Sequence, residues 1–168
     1  MPPPATGLSR TYSFNDPTPD WARMKAMSGL EYFQTIFALE PSRRPNIAIL
    51  LDFHPVEFAE GRAVFEGYPS EAHYNPIGTV HGGYAATLLD SALGCAVHTT
   101  LPAGMGYTTL ELKVNFVKAM TAATGKVRVE GNVLSTGKRV ATAEARLTDP
   151  QGRLLAHGTT TCLIFPLP

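Results

Sequence analysis

The stretch Asn75-Pro-Ile-Gly78-Thr-Val-His81-Gly82-Gly83-Tyr-Ala-Ala-Thr-Leu-Leu-Asp90-Ser-Ala-Leu-Gly-Cys95-Ala-Val-His-Thr-Thr100 sets how the rest of the chain must be arranged. From Val80 to Thr100 it is rich in Ala and Leu and free of proline, which predicts one helix of about five turns. Between Gly82 and Val97 its only charged residue is Asp90, so nearly the whole circumference has to be covered by other parts of the chain. A curved sheet wrapped around the helix would cover it.

The flanking sequence supplies such a sheet. Thr108 to Lys118 alternates, with Leu110, Leu112, Val114 and Phe116 on one face and Thr109, Glu111, Lys113 and Asn115 on the other. Val127 to Val133, Val140 to Thr148 and Leu154 to Phe165 read as further strands, separated by the turn residues Ser135-Thr-Gly-Lys138 and Asp149-Pro-Gln-Gly152. Upstream, Ile47 to Phe53 and Arg62 to Tyr68 read as a strand pair around Ala-Glu-Gly61. The expected order is two strands, the long helix, then four strands in meander order: an α+β architecture with the helix on one face of an antiparallel sheet. Residues 20–45 read as a helical extension of that domain. Asp20 can cap a turn starting at Trp21, Ser28-Gly-Leu-Glu31 is a capping box, and Leu30, Phe33 and Phe37 recur at helical spacing. Residues 1–19 carry five of the 14 prolines and predict an irregular arm, which leaves residues 20–168 as a single domain.

Composition narrows the function classes. The chain has 168 residues, enough for one sizeable core, and 14 Lys and Arg balance 14 Asp and Glu. That balance gives no electrostatic footprint for nucleic acid. No apolar run approaches the ~20 residues needed to cross a bilayer, and no secretory leader is expected from the proline-rich start, so a cytoplasmic address follows by default. Cys95 and Cys162 lie far apart in apolar segments, which predicts buried reduced thiols. The histidines show no metal-ligand spacing, so neither a metal nor another cofactor is expected. Gly131 and Gly137 followed by Lys138 and Arg139 lack the spacing and the hydroxyl residue of a phosphate-binding loop. Gly104-x-Gly106 lacks the third glycine of a dinucleotide fingerprint.

Chemistry is concentrated at the helix. Its first-turn amides have no internal partners and sit at the positive end of the macrodipole, so Gly82 can offer an unobstructed N–H to a developing oxyanion; Gly82 and Gly83 could equally serve close helix-to-strand packing. His81 is a candidate for orienting a substrate or a satisfied polar residue at a helix start. Asp90 carries more weight, because a carboxylate in an otherwise uncharged helix is costly unless it is hydrogen-bonded or faces a cavity. Asp90 lies eight residues beyond Gly82, about 12 Å along one helix axis, too far for both to reach one carbonyl. Two antiparallel helices from two copies would bring Asp90 of one opposite Asn75, His81 and Gly82 of the other, and a two-fold axis would create two such sites.

Asn75-x-x-Gly78-x-x-His81-Gly82-Gly83 followed by Leu88-Leu89-Asp90 resembles the signature of hotdog-fold acyl-CoA thioesterases of the PaaI type, and Thr108–Phe116 and Gly125–Phe165 are similar to that family's later strands. The resemblance covers roughly residues 45 to 165. It implies a hotdog fold, with a long central helix wrapped by a curved antiparallel sheet, and dimers commonly paired into tetramers. It implies hydrolysis of an acyl or aryl-acyl coenzyme A thioester, with Asp90 as general base or nucleophile and Gly82 as the amide donor to the thioester oxygen. Asn75 and His81 would position the carbonyl or the attacking water, and Thr109 would help to hold that water. Gly83 and Phe116, with Ala85, Ala86 and Ala92, are expected near the substrate, and Lys138 and Arg139 near the coenzyme A phosphates. A hotdog enoyl-CoA hydratase or dehydratase and a non-catalytic acyl-CoA-binding module are the alternatives. Many relatives have a proline soon after the strand ending near Val117, where this chain reads Lys118-Ala119-Met120.

Overall fold

The computed structural model describes residues 9–39 and 44–168. The first eight residues of the expected arm, residues 40–43 of the extension and the expected packing of the Phe37 side chain lie outside what is described.

The long helix, α4 (Gly82–Thr99), forms as its composition requires. It packs against a six-stranded antiparallel sheet made of β1 (Phe53–Ala59), β2 (Arg62–Gly67), β3 (Met105–Phe116), β4 (Val127–Thr136), β5 (Val140–Thr148) and β6 (Leu154–Pro166), touching all six strands. Leu88, Leu89, Leu93 and Val97 of α4 share one fully buried core with Phe53, Val127, Val129, Leu147 and Leu155 of the sheet. Gly131 lets the helix sit directly on β4, because a Cβ there would come 2.5 Å from the Ala92 carbonyl oxygen. This is the hotdog arrangement. The covering of α4 is incomplete in one chain: Gly83 is exposed, and Ala86, Thr87, Asp90, Ser91 and Cys95 are half-buried along one stripe. Cys162 is buried as expected, whereas Cys95 stands on this half-open stripe.

Three expectations are corrected. The strand order is β1-β2-β4-β5-β6-β3, so only β4, β5 and β6 follow one another as a meander. β3 runs along β6 at the far edge instead of beside β4. Second, Ile47–Leu50 belongs to a helical turn, α3 (Asn46–Leu50), and the strand starts only at Phe53. A short apolar run does not by itself separate helix from strand. Here the Pro45 carbonyl accepts from the Ala48 and Ile49 amides at 2.8 and 3.1 Å, and Asp52, at φ 54, breaks the chain between the two elements. Third, the alternation of β3 is interrupted by a bulge at Leu110. Thr109 pairs with Cys162 and Glu111 with Thr161, leaving Leu110 as the extra residue, 59% exposed. The bulge turns Thr109 to the same side as Leu112 and Val114, toward α4, and bulges re-aim side chains in just this way.

α1 (Trp21–Ala26) and α2 (Gly29–Leu39) start as the caps predict: Asp20 accepts from the Arg23 amide, and Ser28 and Glu31 exchange hydrogen bonds. The arm is irregular over residues 9–19 but anchored, through an Arg10–Asp52 ion pair at 3.2 Å and a two-way clasp between Asn15 and Asn46. α2 docks on the end of α4, where His98 is buried among Tyr32, Phe33 and Tyr107 and its Nδ1 has no hydrogen-bond partner among the described residues.

Burial pushes the His98 pKa down to about 4, below the ~6.5 of an unfolded histidine. Between those values the unfolded chain binds the extra proton, so stability rises with pH across the window and is lost on acidification. The full effect is on the order of 3 kcal/mol. Urea unfolding at pH 7 and pH 4.5 should show a smaller loss in His98→Phe than in the wild-type chain; equal losses would contradict this assignment.

Candidate active site

The start of α4 is built by the loop before it. Asn75 Oδ1 accepts from the Ile77 and Thr79 amides at 3.1 and 3.2 Å, its Nδ2 donates to Thr79 Oγ1, and Gly78 takes a φ of 79 that suits glycine. The His81 amide donates to the His73 carbonyl at 2.8 Å, which fixes the last residue before the helix. His81 is then the cap of α4: its Nδ1 accepts from the Gly83 amide at 2.8 Å. The accepting Nδ1 leaves Nε2 to carry the proton of the neutral ring, a donor on an exposed side chain. With the Gly83 amide used by His81 and the Tyr84 amide by the His81 carbonyl, the Gly82 amide is the first-turn donor that has no acceptor among the described residues.

Two turns further along α4, Asp90 is half-buried and accepts from Thr109 Oγ1 at 2.9 Å. This bond depends on the Leu110 bulge, and it leaves Asp90 Oδ2 without a partner among the described residues. The structure therefore joins Asp90 to Thr109, and joins Asn75, His81 and Gly82 through one loop and cap, but keeps the two groups apart. Phe116 belongs with the second group, since a Cβ on Gly82 would lie 3.0 Å from its Cζ. Phe116 is seven residues from Thr109, about 23 Å along an extended strand.

Lys138 and Arg139 join neither group. They are exposed at the β4–β5 hairpin, whose first strand residue, Val140, pairs with Leu163, which pairs with Thr108. Two strand spacings, about 10 Å, separate that hairpin from the Thr109 end of β3. Of the alanines expected near the substrate, Ala85 lines a cleft beside Gly82, and Ala86 and Ala92 do not. The cleft wall also includes Val117, Lys118, Ala119 and Met120, which sequence reasoning did not single out. Their one sequence signal is the missing proline: the Val117 and Lys118 amides both donate to the Leu155 carbonyl, at 2.8 and 3.0 Å, and a proline would forfeit one of these donors. Among the described residues no three His, Cys, Asp or Glu side chains are gathered as metal ligands, and no helix is long and apolar enough to cross a membrane.

Residues 77–156 match the thioesterase superfamily. The chain is 32% identical over 108 residues to human acyl-coenzyme A thioesterase 13, an alignment that covers 63% of this chain and 75% of the relative. Among solved structures, a phenylacetic acid degradation-related protein of Ralstonia eutropha is 25% identical and superposes with a TM-score of 0.69, covering 77% of this chain and 97% of its own. A Streptococcus mutans protein bound to acetyl CoA shares the fold at 23% identity, with a TM-score of 0.63, over 68% of this chain and 90% of its own. The wrapped helix, the strand order and these likenesses together place the chain in the thioesterase superfamily, as a thioester hydrolase of the hotdog fold.

Proposed function

We propose that the chain hydrolyses an acyl-CoA thioester to a free carboxylic acid and coenzyme A, at a site completed by two copies of the chain. The observation that carries this is the split itself. A carboxylate held by Thr109, with one oxygen that has no partner among the described residues, stands about 12 Å along the helix from an amide that likewise has none, and each is half of what the reaction needs. β3 is an edge strand of 12 residues, with Leu110 and Phe116 exposed along it. Long exposed edges are templates for pairing. An antiparallel pairing of two β3 edges around a two-fold axis lays the Thr109 end of one copy beside the Phe116 and Gly82 end of the other, and sets the half-open stripes of α4 face to face.

In that site the Gly82 amide binds the thioester oxygen as negative charge develops on it, and His81 Nε2 and the Asn75 loop orient the carbonyl or the attacking water. Asp90, held by Thr109, takes the proton of that water as it attacks, or attacks the carbonyl carbon itself to give a mixed anhydride that the water then hydrolyses to the free acid. The C–S bond breaks, and the coenzyme A thiolate leaves and takes up a proton. Lys138 and Arg139, exposed at the hairpin about 10 Å from the Thr109 end, would meet the coenzyme A phosphates in this reading. The same proposal takes residues 20–168 as one catalytic domain and pairs two such dimers into a tetramer. It places the protein in the cytoplasm, whose reducing conditions suit two free cysteines.

Thiol release from a panel of acyl-CoA thioesters is the test. Release by a dimer or larger assembly is expected. A fully active monodisperse monomer would contradict the shared site, and an intact thioester after enoyl-CoA hydration, or after binding alone, would favour the hydratase or acyl-CoA-binding alternatives.

A further inference from the structure

Beside the start of α4 lies a cleft of about 330 Å³. Ala85, Phe116, Ala119, Met120 and Leu155 form its walls together with Gly82, and among the described residues Lys118 is the only charged one that lines it. The segment that makes its far side is held at both ends. The Met120 carbonyl accepts from the Val80 amide at 2.9 Å, and the Val117 and Lys118 amides share the Leu155 carbonyl. Met120 is buried, so it closes the cleft toward the core, whereas Ala119 is exposed at its side. Phe116 packs over the Cα of Gly82 and forms the cleft wall nearest the start of the helix.

From these observations the geometry points to this cleft as the acyl-group site, selective for an uncharged hydrocarbon chain of about eight carbons, with Met120 and Ala119 setting its length and width. The inference rests on the hydrolase reading for the presence of a thioester at Gly82. A carbonyl bound by that amide has its acyl carbon next to Phe116, and the walls beyond offer apolar contact. They provide no hydrogen-bonding side chain for a polar chain end other than Lys118. Size sets the chain length: a dry cavity of roughly 150 Å³ holds a six-carbon ring, and this cleft has about twice that volume but is partly open, so an octanoyl group fills it and a hexadecanoyl group overruns it.

Equilibrium binding separates this inference from hydrolysis. Acetyl-, butanoyl-, octanoyl-, dodecanoyl- and hexadecanoyl-CoA are titrated calorimetrically into the Asp90→Asn protein, with and without Ala119→Phe or Met120→Ala, alongside thiol release by the wild-type chain. Burying each methylene is worth about a fourfold gain in affinity, so octanoyl-CoA should bind at least about 100-fold tighter than acetyl-CoA, with no further gain beyond octanoyl. Ala119→Phe adds its ring at an exposed position and should weaken octanoyl-CoA at least about tenfold while leaving acetyl-CoA within about threefold. Met120→Ala should move the preference toward dodecanoyl-CoA. A chain-length profile that is flat, or unchanged in both variants, would overturn the inference. Chain-length-dependent binding without thiol release from any thioester would sink the hydrolase reading and leave the cleft assignment standing; absence of binding by every thioester would sink both.

Discussion

Asp90→Asn should lower thiol release at saturating substrate by at least about 100-fold, the scale of a lost general base or nucleophile. The substitution conserves shape, and the carboxamide oxygen can still accept from Thr109, whose hydroxyl is the one partner that Asp90 has among the described residues. What disappears is the charge and basicity of the free oxygen. The half-buried stripe around position 90 carries no other acid, so nothing adjacent on α4 can replace it. The loss should therefore appear in kcat, with the unfolding midpoint near that of the wild-type chain. Wild-type turnover would remove Asp90 from the chemistry. A collapse in stability with activity restored by Asp90→Glu would instead make it a structural anchor for β3.

Gly82→Pro should be comparably damaging, about 100- to 1,000-fold in kcat, because it deletes a single N–H that an oxyanion needs. Proline is an unusually clean probe here. The first position of a helix favours it, since the N–H there has no intrahelical role. The preceding residue, His81, already has φ −61 and ψ 139, the extended conformation that proline demands of its predecessor. An added Cβ at position 82 would lie 3.0 Å from Phe116 Cζ, the far end of a side chain. Circular dichroism and the unfolding midpoint should thus stay close to those of the wild-type chain while turnover falls. Retained turnover would mean that the thioester oxygen is held elsewhere.

The sequence and the structure agree where information is local. α4 is visible because a proline-free, nearly uncharged run bounded by Gly82-Gly83 can only be a covered helix, and β4 to β6 are visible because turn residues separate them. The three departures have non-local or ambiguous causes. Ile47–Leu50 satisfies helix and strand equally as an apolar run, and it is the Pro45 carbonyl and the backbone of Asp52 that decide. The place of β3 beside β6 depends on which strand edge remains after β4, β5 and β6 have paired, information that no single strand carries. The Leu110 bulge hides inside a regular alternation, since an inserted apolar residue mimics the next inward position. Site residues follow the same rule. Gly82, His81 and Asp90 stand out by residue type on one helix, and the Asp90–Thr109 bond needs the bulge. The cleft joins positions near 80, 118 and 155, which only the folded sheet brings together.

The central claim, one active site made from two chains, is tested most directly by complementation. Asp90→Asn and Gly82→Pro chains, each inactive alone, are unfolded together in equal amounts, refolded, and assayed for thiol release. In a two-fold dimer the mixed species carries one site with both defects and one with neither. Random mixing therefore predicts recovery of about a quarter of wild-type activity. Recovery near that level is the predicted result; a refolded mixture that forms mixed dimers yet stays as inactive as its two components would contradict a site shared between chains.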